Sequence, residues 1–123
     1  MLARVKTSTV SGIDAIGVEV EVHTKGGKPH FIIIGLADGA VRESRDRVSA
    51  AIRHSGLQLP GKILVNLAPA EVKKEGSSFD LAIALAILTA SGQIRSQRLD
   101  SMSFHGELSL NGRIKPVRGV VAL

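Results

Sequence analysis

Leu81 to Leu88 is an unbroken run of eight apolar residues, and it limits the possible folds more than any other stretch of the chain. Leucine and alanine dominate, and no Gly or Pro falls between Phe79 and Ser91, which predicts a helix rather than a strand. A helix without a polar face has to be buried on every side. Ser77 or Ser78 is expected to cap its first turn, and Asp80 stands where the helix dipole favours a carboxylate. Gly92 supplies the C-terminal stop. A bilayer span needs about 20 apolar residues, so this is a core helix of a soluble domain.

The rest of that core must be aliphatic, because Phe31, Phe79 and Phe104 are the only aromatic residues. The chain has 123 residues, enough for a single domain with one core. It has no cysteine, which excludes disulfides, thiolate metal sites and cysteine catalysis. Sixteen basic against eleven acidic residues give a net charge of +5, compatible with a polyanionic partner without requiring one. The opening Met1–Thr7 carries charge too early for a secretory signal, so a cytoplasmic location is expected.

Along the chain, Leu2–Ser8 reads as a strand and Ser11–Asp14 as a turn. Ala15–Thr24 is a clearer strand, with Val18, Val20 and Val22 alternating against Glu19, Glu21 and His23. Lys25–Lys28 is expected to close a hairpin into Phe31–Ile34, whose β-branched run predicts a strand covered on both faces. Asp38 caps a predicted helix over Gly39–Ser55, stopped by Gly56. Val41, Ser44, Val48, Ala51 and Ile52 make its inner stripe, with Arg42, Glu43, Arg45, Asp46, Arg47 and Arg53 largely outside. Glu43 and Arg47 have the spacing of an i,i+4 ion pair. The arginines could face a nucleic acid, although mixed charges on an outer helix face are usually just solvated. A strand over Ile63–Leu67, the buried helix and a polar linker Gln93–Asp100 follow. Strands Ser103–Leu108 and Arg113–Val117 then meet across Leu110-Asn111-Gly112, a strong turn signal. A new apolar pattern begins at Gly119–Leu123, so the sequence is expected to be a piece of a longer protein.

Two motif readings fail on chemistry. Gly56–Lys62 satisfies G-x-x-x-x-G-K, but Ile63 stands where a phosphate loop needs Ser or Thr for magnesium. That stretch also leaves a helix and opens a strand, the reverse of a phosphate loop. His23, His30, His54 and His105 lack i,i+4 spacing and an acidic residue at ligand spacing, so surface or hydrogen-bonded histidines are expected. The remaining candidate is Ser77-Ser78 at the helix start, where nearby amides could hold an oxyanion if a base stood beside the serine. A plain capping serine is the simpler reading.

Several stretches carry a family resemblance: Gly17–His23, Ile34-Gly35-Leu36, Val41–Val48, Val65–Ala70, Lys74–Ser77 with Phe79-Asp80-Leu81, and Gly106-Glu107-Leu108 with Pro116–Gly119. In that order they resemble the N-terminal domain of the magnesium-chelatase-like AAA+ ATPase family, ComM/YifB group. The resemblance implies an α+β fold like ribosomal protein S5 domain 2, also seen in Lon-type proteases. Its two layers would hold three strands, a helix, a strand, the buried helix and a hairpin. Residues 1–123 would then form a single Lon-like N-terminal domain of a longer ATPase.

The kinship to Lon-type proteases places Ser78 at the nucleophile position and Val121 where those enzymes have a lysine. Valine cannot take a proton, so no catalytic residue is expected. No cofactor or metal is expected in this chain, while ATP and Mg belong to the implied parent. That parent would be a homo-hexamer working on DNA through its own ATPase domain, as in branch migration during natural transformation, with no membrane contact. A Lon-like serine hydrolase or its degenerate descendant, and a magnesium chelatase-type remodelling ATPase, are the alternatives. For this domain the resemblance leaves DNA contact, subunit packing and partner docking as roles. Arg113, Lys115 and Arg118 on the last hairpin are the candidate nucleic-acid residues, extended by Arg95 and Arg98.

Overall fold

The structure, a computed structural model, describes residues 1–11, 14–95 and 97–116. In order, the elements are β1 (Leu2–Ser11), β2 (Asp14–Lys25), β3 (His30–Ile34), α1 (Gly39–Arg42) and α2 (Ser44–His54). Then come β4 (Lys62–Ala68), α3 (Asp80–Ala90), a 3-10 turn (Gln97–Ser101), β5 (Glu107–Leu108) and β6 (Ile114–Lys115). The main sheet has four strands in the order β1-β2-β4-β3, and β5 with β6 forms a separate two-stranded ribbon. The fold class is α+β, with a mixed sheet: β1–β2 and β2–β4 are antiparallel, β3–β4 parallel.

Alternation sets the core. Val18, Val20 and Val22 of β2, Val5 of β1, and Ile63, Val65 and Leu67 of β4 all point to one face and are buried. Helix α3 packs on that face over β1 and β2, and α2 lies against α3 and β3. The inner stripe read from the sequence, Val41, Ser44, Val48, Ala51 and Ile52, is buried at every position. Both long helices end as their glycines predict. Gly56 and Gly92 have φ of 77° and 75°, and Leu57 and Gln93 donate back to Ile52 and Leu88 in the pattern of a Schellman stop.

Several expectations need correction. Lys25–Lys28 does not close a hairpin, because β4 lies between β2 and β3. A strand parallel to β4 needs a crossover, and α1 with α2 provides it. The loop instead lies against the start of β4, where a Cβ on Gly61 would meet Gly27 O at 2.2 Å. Nor is β3 covered on both faces: it is an edge strand, with Ile33 buried and Ile34 47% exposed. The helix predicted over Gly39–Ser55 breaks at Glu43, where the Asp46 amide slips to an i−3 bond with Glu43 O. Asp38 does cap it, accepting from the Val41 amide at 2.8 Å.

Helix α3 is not buried all round either. Leu81, Leu85 and Thr89, each four residues apart, form one half-exposed stripe. Neither Ser77 nor Ser78 caps the helix. Phe79 occupies the cap position without a side-chain bond, and the Leu81 amide is satisfied by Gly106 O at 3.1 Å. The strand predicted over Ser103–Leu108 shortens to Glu107–Leu108, while Ser103 bridges Lys6 at the edge of β1. The strand predicted over Arg113–Val117 is described only at Ile114–Lys115, and Val117 lies outside the described residues. The stretch Gly56–Lys62 joins α2 to β4, a helix-to-strand turn with no helix N-terminus to meet a phosphate.

Candidate functional site

The start of α3 is where the polar chemistry of the chain gathers. Asp80, fully buried, opens a helix that is otherwise almost wholly apolar. Such a carboxylate demands partners, and it has four bonds. Ser44 Oγ donates to Oδ1 at 2.5 Å and the Leu108 amide to Oδ2 at 3.0 Å. Arg47 adds a bidentate contact, Nε to Oδ2 at 2.6 Å and Nη2 to Oδ1 at 3.1 Å. Arg47 Nη2 also donates to Ala40 O at 3.0 Å. One carboxylate thereby ties α2, α3 and β5 together. The bond to Asp80 raises the Arg47 pKa further, above the usual arginine range.

This corrects the placing of Arg47 on the outer face. Its contact with Glu43 is only 4.0 Å, against 2.6 Å to Asp80. A sequence signal existed for the latch: an acid in an apolar helix, and an arginine three residues after the buried Ser44.

Beside the latch lies a more open cluster. The Ser77 hydroxyl is the first cause holding the Glu107 carboxyl below its usual value; the Lys115 and Arg47 charges act in the same direction. Lys115 Nζ stands 3.6 Å from Glu107. Ser78, the serine at the Lon-like position, is half-buried, and its carbonyl accepts from the Gly106 amide at 3.0 Å. Val121, the position aligned with the Lon lysine, lies outside the described residues.

Just upstream, Lys74 is fully buried, which nothing in the sequence distinguishes from its exposed neighbour Lys73. Its ammonium donates to Gly35 O at 2.8 Å and to Pro69 O, tying together the ends of β3 and β4. Burial pushes its pKa down from 10.5. Its main chain pairs with Leu36 and Asp38 at 2.9 and 3.1 Å, fixing the loop that leads to α3. A second polar pair, Ser8 Oγ to His105 Nε2 at 2.8 Å, adjoins a groove of about 490 Å³ lined in part by Lys6, Thr7, Ser8 and Ser103. Burial lowers the His105 pKa, which favours the neutral ring.

The predicted nucleic-acid residues are only partly brought together. Arg113 and Lys115 are both exposed on the β5–β6 hairpin, but Glu107 stands directly across the ladder from Lys115 and offsets its charge. Arg95 and Arg98 are exposed elsewhere, Arg95 ahead of the 3-10 turn and Arg98 within it. Arg118 lies outside the described residues. Among the described residues, no group of three or more His, Cys, Asp or Glu could hold a metal ion. None of the described helices is long and apolar enough to cross a membrane.

Comparison with known proteins gives a consistent result. Residues 20–123 match the family described as subunit ChlI of Mg-chelatase. The protein YifB of Escherichia coli, described as uncharacterized, is 43% identical over 122 residues, covering 98% of this chain and 24% of its own length. Competence protein ComM of Haemophilus influenzae is 43% identical over 121 residues, with the same 98% and 24% coverage. An uncharacterized protein of Mycobacterium tuberculosis is 41% identical over 121 residues, again at 98% and 24%. The chain thus spans about a quarter of the length of the curated relatives it matches.

Proposed function

The chain belongs to the family of subunit ChlI of Mg-chelatase, and on that premise we propose that it is a non-catalytic N-terminal accessory domain of a larger ATPase acting on DNA. The observation that carries this reading is the match to competence protein ComM, which runs through nearly the whole chain yet occupies only a quarter of that relative. That relative is named as a competence protein, and branch migration of DNA during natural transformation is the activity proposed for the parent. ATP and Mg, a homo-hexameric assembly and a cytoplasmic location belong to the same proposal. The proposed fold likeness is to ribosomal protein S5 domain 2. It is supported by the mixed sheet with its helices on one face. A second reading, chelatase-type remodelling, is favoured by the description of the matching family itself.

In the first reading, contact with DNA is electrostatic and centred on the last hairpin. Arg113 and Lys115 reach solvent there, and Arg118 follows in sequence. The chain has no aromatic residue between Phe104 and Leu123, so a base-stacking platform is missing from this segment. Phosphate contacts position a protein without reading sequence. Three such contacts give a log–log salt slope of roughly −2 to −3. Fluorescence anisotropy with labelled single- and double-stranded DNA, from low to physiological salt, measures that slope. Changing Arg113, Lys115 and Arg118 together to Ala should abolish it. If the triple variant binds as well as the parent, the hairpin is not the contact.

A further inference from the structure

We propose that the open edge of β3 receives an extended segment of a partner protein, with alternating apolar and acidic side chains, as a fifth strand of the main sheet. Among the described residues, β3 ends the order β1-β2-β4-β3 and pairs on one side only. The His30 amide bonds Gly61 O at the β4 side, at 2.9 Å. By alternation, the peptide groups of Phe31 and Ile33 face the open side. One of them, Phe31 O, accepts from Arg45 Nη1 at 3.4 Å. An arginine laid over an edge guards it against indiscriminate pairing. It also places a cation where an acidic segment would arrive, which favours one class of partner over others.

Composition and burial point the same way. The run Phe31–Ile34 has the pattern of a strand covered on both faces, yet Ile34 is 47% exposed. Leu64, the register partner of Ile32 on β4, is 43% exposed, and Leu36 just past the strand is 55% exposed. At the other end of the strands the side chains are basic: Lys62 is the register partner of both His30 and Lys25. An apolar centre with a cationic margin and main-chain groups turned to the open side fits strand addition, in which the backbone supplies affinity and alternate side chains supply specificity. A second copy of this chain fits less well. A two-fold pairing of β3 edges would bring both Arg45 guanidinium groups to one junction, and like charges there oppose pairing.

The test uses a short fluorescein-labelled peptide of alternating valine and glutamate, titrated into the chain and followed by anisotropy and amide hydrogen exchange. Saturable binding is expected, with exchange slowed at Phe31 and Ile33. Affinity should fall about tenfold or more for Arg45→Glu, for Ile34→Thr and for the same peptide carrying lysine in place of glutamate. Both substituted positions are exposed, and circular dichroism checks that each variant keeps the fold. The proposal is overturned by absence of saturable binding, by equal binding of the lysine peptide, or by protection away from β3. Self-association of the chain through β3 also overturns it, as does tighter binding of a single-stranded DNA oligonucleotide at the same residues.

Discussion

Removing the Arg47 guanidinium would leave the Asp80 carboxylate, fully buried, with only Ser44 and the Leu108 amide as partners. Breaking a buried ion pair from one side costs about 3 kcal/mol or more, since the remaining charge stays desolvated. Arg47→Ala should therefore lower stability by about that amount in urea denaturation, and Arg47→Ala combined with Asp80→Leu should recover much of the loss. Equal losses in the single and double variants would mean that the Asp80 charge is not what Arg47 compensates. Glu107 gives a pH-dependent counterpart, because Ser77 and then Lys115 hold its carboxyl below the usual 4.5. A depressed carboxyl contributes stability that is fully present above its unfolded pKa and lost as pH falls through its folded one. The contribution therefore fades below 4.5 rather than near neutrality. Ser77→Ala should raise the Glu107 midpoint in an NMR titration, and an unmoved midpoint would exclude the hydroxyl as the cause. Of these residues, Asp80 was legible as a charge near the helix start and Ser44 and Arg47 as neighbours on α2, but their pairing with Asp80 was not. Sequence spacing shows which face of α2 Arg47 borders; it does not show that α3 begins beside it.

At the level of elements, α3 carries the clearest difference between pattern and packing. Its sequence offers no polar face, yet the sheet and α2 cover only part of its circumference, and Leu81, Leu85 and Thr89 form the half-exposed remainder. The apolar run could not reveal which stripe that would be, because every position looks alike. The two kinds of position should respond differently to charge. Ile83 is fully buried, and an unpaired carboxylate there costs several kcal/mol. Ile83→Asp should abolish the cooperative thermal transition, whereas Leu85→Asp should keep one at a lower midpoint. Matching loss in both variants would show that the stripe is covered in solution. Helix ends were legible where glycine decides them, at Gly56 and Gly92, since a positive φ is a local requirement. The cap of α3 was not, because its first-turn amide is satisfied by Gly106, distant in sequence.

At the scale of the whole molecule, strands and helices were legible one by one, but their order in the sheet was not. The loop Lys25–Lys28 has hairpin composition, and only the burial of β4 between β2 and β3 shows that the chain crosses over instead. That order also divides the β1–β2 pair into two parts. The register of β2 with β4 starts at Glu19↔Ala68 and runs to Lys25↔Lys62, so from Asp14 to Val18 β2 pairs with β1 alone. Val18, Val20 and Val22 sit in the core, while Val10 is 54% exposed and Asp14 and Ala15 are exposed near the outer end. A two-stranded ribbon is marginal by itself in water. Its opening should therefore not require the core to unfold, and stability should differ along one continuous pair of strands. Native-state hydrogen exchange would read this directly. Amides of Val20 and Val22, and of Val65 across the ladder, should exchange only through global unfolding and follow its dependence on denaturant. Those of Val10, Ala15 and Ile16 should exchange at lower free energy, with little dependence on denaturant. Protection of the outer amides at the global limit would mean that the hairpin is held by contacts beyond β1 and β2, and the division drawn from the register would be wrong.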